Sequence, residues 1–225
     1  VRSDLEQTHQ RVWDSLAKPG TWWNAAERIQ IAREARAARA AEGLAGAPAG
    51  AATAELPAAA SEVARRVGGA PKSIDRAWFE GLVPERLEDT HYVEAVGVVV
   101  RTVSVDVFCR GLGVPLHNYP DPEPGEPSRE RPRTALVDEA WVPMIPNGAA
   151  GGEEAKATFG GTSANVIRAL SLVPAEVRGI SDVGNHQYLI DRHVLDPKHD
   201  PGRAISRAQI ELVAGRISAI NECFY

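Results

Sequence analysis

Apolar positions recur at helical spacing through most of the 225 residues. Residues 5–16 read as a short amphipathic helix, closed by Pro19-Gly20. Thr21 is placed to cap a helix over 22–41, rich in Ala, Arg and Glu. Its apolar positions Ile29, Ile31 and Ala35 are loosely spaced, which predicts partial solvation. Residues 43–53 hold Ala, Gly and Pro with no large side chain after Leu44, so a flexible linker or long loop is expected. Residues 56–67 return to the helical pattern, with Pro57 in the first turn and Gly68-Gly69 at the stop. Ser73 is expected to cap a short helix through Trp78, Phe79 and Leu82. Asp89 opens a valine-rich block over 92–112, with Val93, Val96, Val100, Val103 and Val107 near helical spacing. Its β-branched content suits a strand. Its length without a turn signal decides for a buried helix, because strands average about 5–6 residues.

The pattern breaks over 114–148, which holds eight of the sixteen prolines. A connection of this length is either a wrapping arm or a linker between two halves. Trp141, Val142, Met144 and Ile145 give it an apolar anchor, and 121–133 is expected to be the more mobile part. Helical spacing then resumes. Ser163 or Asn165 caps 166–172, Pro174 begins a longer helix to about Val194, and 196–202 is a turn. Ser206 caps a final helix carrying Ile210, Leu212, Val213, Ile217 and Ile220. No run of alternating strands with hairpin signals is present. The expected fold class is therefore all-α, in three parts: an N-terminal helical half (1–113), a proline-rich connecting arm (114–148) and a C-terminal helical half (149–225).

Composition narrows the classes. Lys and Arg number 25 and Asp and Glu 30, a formal charge of −5. That balance argues against a general nucleic-acid or anionic-membrane binder. No apolar run is long enough to span a bilayer. Two cysteines cannot build a disulfide framework, so a reducing, cytoplasmic setting is expected. The first residue is Val and the single Met is Met144, which suggests a processed, trimmed or alternative start.

The two halves echo each other loosely. Glu94-Ala95-Val96 sits in the first long helix and Glu211-Leu212-Val213 in the last. Arg101 follows Glu94 by seven residues and Arg216 follows Glu211 by five. Cys109, in a valine-rich helix, reads as core, with a vestigial redox role as the competing reading. Glu94 reads as an ion-pair partner of Arg101, or else as a vestigial acid. His186 and His193 are seven apart on one helix, a poor spacing for a metal. The stretch 160–163 reads as a loop-to-helix cap rather than an anion site. Trp22, Trp23 and Trp78 read as packing or subunit contacts.

The segment from Glu211 to Tyr225 carries the chemistry. Eleven residues separate Glu211 from Cys223, and Ser218 and Asn221 precede the Cys. Twelve residues of straight helix would rise about 18 Å, so a working Glu211–Cys223 pair requires a bend near 218–221. Asn221 could cap a following helix and place Cys223 near its start, where unpaired N–H groups and the dipole stabilise a thiolate. Taken alone, Cys223 is as well explained as a buried small hydrophobe and Glu211 as a partner of Arg207.

This segment resembles the active-site stretch of the AhpD-like alkylhydroperoxidase branch of the carboxymuconolactone decarboxylase family. That pattern runs Glu, eleven residues, Cys, two residues, Cys, three residues, His. The resemblance covers about 20 residues well, is weaker over 163–194 and is poor through the proline-rich arm. The second Cys would fall at position 226 and the His at 230. A selenocysteine at 226, whose UGA codon reads as a stop, and a fragment or trimmed chain are the two explanations left open.

The resemblance implies an AhpD-like helical fold and a thiol- or selenol-dependent peroxidase or disulfide oxidoreductase acting on organic hydroperoxides. Cys223 would be the resolving thiol, position 226 the attacking one and Glu211 the acid/base. It implies no metal, haem or flavin, a protein or small-molecule thiol as reductant, and homo-oligomers. Two alternatives stand beside it: a decarboxylase-like lyase, which would need Arg101 or Arg216 beside Glu211, and a catalytically silent oligomeric binding subunit.

Overall fold

The computed structural model describes residues 2–44, 46–48, 50–194 and 196–222. The chain is mostly helical and all-α, with one minor two-stranded pairing among the described residues. It divides into two compact units, Val1–Val183 and Gly184–Tyr225.

In the first unit, α1 (Ser3–Leu16) buries Leu5, Thr8, His9, Val12, Trp13 and Leu16, the stripe that 3.6-residue periodicity dictates. Next comes α2 (Ala25–Ala41), whose cap is Asn24 rather than Thr21. Asn24 accepts from the Glu27 N–H at 3.0 Å and Glu27 accepts from the Asn24 N–H at 2.9 Å, a capping box. The start is displaced because Gly20 N–H bonds to Trp23 C=O at 2.9 Å, closing a turn that keeps Trp22 and Trp23 outside the helix.

The expected partial solvation of α2 holds at its C-terminal end, where Ala37 and Ala41 are exposed, but its apolar positions Ile29, Ile31 and Ala35 are fully buried, and Arg28, Arg33 and Arg36 are buried with them. The arginines read as solvent-facing in the sequence because their partners lie far along the chain. Arg36 pairs through two bonds of 2.7 Å with Asp106.

Following Pro57, α3 (Ala58–Gly69) packs tightly on α2. A Cβ at Gly68 would meet Ala35 Cα at 2.8 Å, so only glycine permits this approach. The short α4 (Arg76–Glu80) is capped by Asp75, which accepts from Trp78 N–H at 2.8 Å; Ser73 ends a 3-10 turn instead. The valine block is α5 (Asp89–Gly111), 23 residues long and helical as its length predicts; Val93 is buried, Val96, Val100 and Val103 are half-buried, and Val107 is exposed. It packs against α2 and α3 and supplies Val93, Ala95, Val98 and Val99 to the main core.

The proline-rich stretch contains β1 (Leu136–Val137) paired antiparallel with β2 (Pro143–Met144) and no helix before the 3-10 turn Gly148–Ala150. Of the expected apolar anchor, Val142, Met144 and Ile145 are buried, whereas Trp141 is 41% exposed. Residues 121–133, expected to be the more mobile part, are mostly exposed but make several hydrogen bonds to the body. Glu123 N–H donates to Ala17 C=O at 2.7 Å and Arg129 N–H to Thr21 C=O at 2.8 Å. Arg131 grips Asp89 with two bonds of 2.7 and 2.8 Å, and Glu154 accepts from the Arg133 and Thr134 N–H groups at 2.9 Å each.

Three further helices follow. The sequence pattern did not predict α6 (Gly152–Phe159), and α7 (Asn165–Arg168) is shorter than expected. The longer α8 runs Pro174–Gln187 and stops before Val194. In the second unit, α9 (Asp191–Val194) is a single turn and α10 (Arg207–Ile220) is the final helix. The predicted cap holds: Ser206 and Gln209 form a capping box. Among the apolar residues of α10, only Ile210 is buried.

Replacing Gly68 with Ala is expected to destabilise the protein by about 1–3 kcal/mol, the cost of overpacking a tight helix crossing. Gly184→Ala, where an added Cβ meets nothing within 4 Å, is expected to be neutral or slightly stabilising. Paired thermal melts check this, and equal effects of the two changes would contradict the tight crossing.

Candidate functional site

Four charged side chains meet in the interior of the first unit. Arg28 (α2) pairs with Glu94 (α5) and lies 3.4 Å from Glu176 (α8). Arg101 (α5) pairs with Glu176 at 2.6 Å and donates to Ser15 Oγ (α1) at 3.0 Å. Glu94 also accepts from Trp22 N–H at 2.5 Å. All four side chains are buried. Two positive and two negative groups make the cluster formally neutral.

Burial pushes the Glu94 carboxyl above the ordinary carboxylate range. Arg28 opposes that shift and Glu176 adds to it. Burial likewise pulls the Arg101 guanidinium below its usual value, against the pull of Glu176. Glycines make the room. A Cβ at Gly97 would meet Glu176 Oε2 at 2.5 Å, one at Gly179 would meet Arg101 Cδ at 2.7 Å, and one at Gly20 would strike Glu94 and Arg28.

The expected Glu94–Arg101 pairing is thereby corrected: seven residues is two helical turns, and each side chain turns instead to a partner on another helix. Arg101, one of the bases that the lyase reading would require beside Glu211, is committed to Glu176 and Ser15.

Next to this cluster's helices lies an apolar cavity of about 470 Å³. Its walls include Tyr92, Val96 and Val100 of α5, Trp141, Leu170 and Ile180. The Tyr92 hydroxyl is pushed up to about 12 by burial.

The second unit holds Glu211. Its carboxylate is exposed on the second turn of α10. Tyr188 O–H donates to Glu211 Oε1 at 2.6 Å, and Arg207 Nε donates to the same oxygen at 2.7 Å. These bonds hold the Glu211 carboxyl below its usual range, the Tyr188 bond most strongly. Burial and the bond to Glu211 raise Tyr188.

Arg207 is anchored by donating to the carbonyls of His193 at 2.6 Å and Val194 at 2.8 Å, in the last turn of α9. The pairing of Arg207 with Glu211, one turn apart, is visible in the sequence. Tyr188 is not, because nothing in its spacing from Glu211 announces the contact.

The other site positions are as follows. The helix continues unbroken to Ile220, Asn221 closes it in helical geometry and Glu222 turns with a φ of 56°. The expected bend at 218–221 is thereby corrected: the helix runs through that window, the turn comes after it, and Asn221 closes α10 rather than capping a following helix. Cys223 lies outside the described residues. Arg216 is exposed, and Cys109 is buried as expected. The two echoed glutamates have opposite surroundings, Glu94 wholly buried and Glu211 exposed. No protein-family model, curated protein or solved structure matches this chain.

Arg101→Met leaves a buried carboxylate without its nearest cation and is expected to cost about 3–5 kcal/mol, read by chemical denaturation. A change of less than 1 kcal/mol would show that the quartet contributes little to stability.

Proposed function

We propose that the protein is a thiol- or selenol-dependent peroxidase or disulfide oxidoreductase that reduces organic hydroperoxides. The observation that carries the reading is Glu211, held in place by Tyr188 and Arg207, with the spacing of eleven residues to Cys223. A carboxylate with a depressed pKa is ionised at neutral pH and able to accept a proton, though as a weak base. Tyr188 O–H, already bonded to it, extends the route by one group.

In the pattern this segment resembles, the attacking chalcogen would fall at position 226 and, as its anion, would attack the distal oxygen of the hydroperoxide. The O–O bond breaks, the alkoxide takes a proton and leaves as the alcohol, and the chalcogen is oxidised to a sulfenic or selenenic acid. The Cys223 thiolate then displaces hydroxide, which leaves as water, and a disulfide or selenenyl sulfide forms. A dithiol donor reduces that bond and is itself oxidised to a disulfide. The axial rise places Glu211 and Ile220 about 14 Å apart along α10, so proton transfer between Glu211 and the thiol requires the chain after Glu222 to fold back toward α10.

The test compares the 225-residue chain with a version extended to carry cysteine at position 226 and histidine at position 230. With cumene hydroperoxide and dithiothreitol, the extended form is expected to consume peroxide and the shorter one to fall far below it. Glu211→Gln in the extended form is expected to lower the rate by about 100-fold or more, with Tyr188→Phe smaller. An extended form that consumes no peroxide sinks the reading.

Assembly belongs to the same proposal. Val213, Ile217 and Ile220 lie along one side of α10 with exposures of 53%, 53% and 56%. Such a stripe is the surface a second copy would bury. Sedimentation is expected to show an oligomer that Ile217→Asp shifts toward monomer, and an unchanged profile would remove the stripe from the interface.

A further inference from the structure

His9 on α1, Cys109 in the last turn of α5 and His117 in the segment after it converge at one end of the first unit. One ligand atom from each lies within 4.8 Å of the others. His9 and Cys109 are each 3% exposed, and His117 is half-buried. The His117 ring sits 5.0 Å from the Trp13 ring and 6.2 Å from the His9 ring, at 87° to the latter. The backbone around His117 is pinned on both sides: Trp13 Nε1 donates to Asn118 C=O at 2.6 Å and Arg36 Nη1 donates to His117 C=O at 3.0 Å. Three donors on three stretches of chain thus lie close together, and Cys109 packs with Val12, Trp13, Val105 and Val183.

From these positions we infer that His9, Cys109 and His117 form a zinc site. Tetrahedral zinc bonds of about 2.0–2.3 Å set neighbouring ligand atoms about 3.3–3.6 Å apart, so no pair need close by more than about 1.5 Å on binding. Thiolate and imidazole donors suit zinc and disfavour magnesium or calcium. Three protein ligands leave the fourth position to water, reached past the half-buried His117.

Burial lowers both histidines, which keeps the rings in the neutral, metal-binding form. It raises the Cys109 thiol, so zinc displaces one proton from sulfur to solvent as it binds. Of the charged neighbours, Asp106 is committed to Arg36 in a neutral pair, and the C-terminal end of α5 presents the negative end of its dipole to the cation.

Zinc and cobalt binding to the full chain test this. After incubation with Zn²⁺ and desalting, about one equivalent is expected to remain. Co²⁺ is expected to give the intense visible bands of a tetrahedral site and a thiolate-to-cobalt band in the near-ultraviolet. Cys109→Ser and His117→Gln are each expected to lose that equivalent. His117 is half-buried, so His117→Gln with unchanged helical circular dichroism separates loss of a ligand from loss of the fold. No retained metal, a spectrum without the thiolate band, or the same binding in both variants overturns the assignment.

Discussion

The structure depends on moving four charges out of water together. Arg28, Glu94, Arg101 and Glu176 come from α2, α5 and α8, and Ser15 of α1 completes the set. A lone charge in such an interior would cost several kcal/mol after relaxation. Two pairs in contact return much of that cost as Coulomb attraction, provided that all the helices arrive in one arrangement. A slipped α5 would leave both Glu94 and Arg101 without partners. The cluster therefore acts less as a source of stability than as a constraint on which helix lies where. Glycines at 20, 97 and 179 belong to the same constraint, since any side chain there would occupy the space of the charged groups.

That constraint spreads outward through the proline-rich stretch. Pinned to Ala17 and Thr21, it lies against the turn that delivers the Trp22 N–H to Glu94. Arg131 fastens it again at Asp89, the first residue of α5. Prolines suit this role, because a segment that makes few internal backbone bonds loses little by lacking N–H donors and less entropy on being fixed. Trp141 and Val142 of the same stretch then close one wall of the apolar cavity.

The helical class was legible because period and length dominate it. The valine block of α5 is too long for a strand, and Ser206 with Gln209 marks the start of α10 by local chemistry alone. Burial of the α2 arginines was hidden, because an arginine pointing inward looks in sequence like one pointing outward. Only Glu94 and Asp106, 66 and 70 residues away, reveal the difference. The anchoring of 121–133 was hidden for the same reason: its partners are backbone carbonyls, which every residue has. At the candidate site, Arg207 was readable at one helical turn from Glu211, whereas Tyr188 and the His9–Cys109–His117 convergence depend on tertiary placement.

The two glutamates that the sequence aligns show why residue type alone does not assign a role. Glu94 is sealed, pushed up by burial and bonded to a guanidinium and a backbone N–H. Its charge is committed to holding helices together. Glu211 is exposed, pulled down by a tyrosine and an arginine, and free to exchange protons with water. A buried carboxylate in a neutral quartet cannot gain or lose a proton without disturbing three neighbours. An exposed one, positioned by two donors, can do so at little structural cost. That difference in freedom favours Glu211 over Glu94 as the proton-handling group.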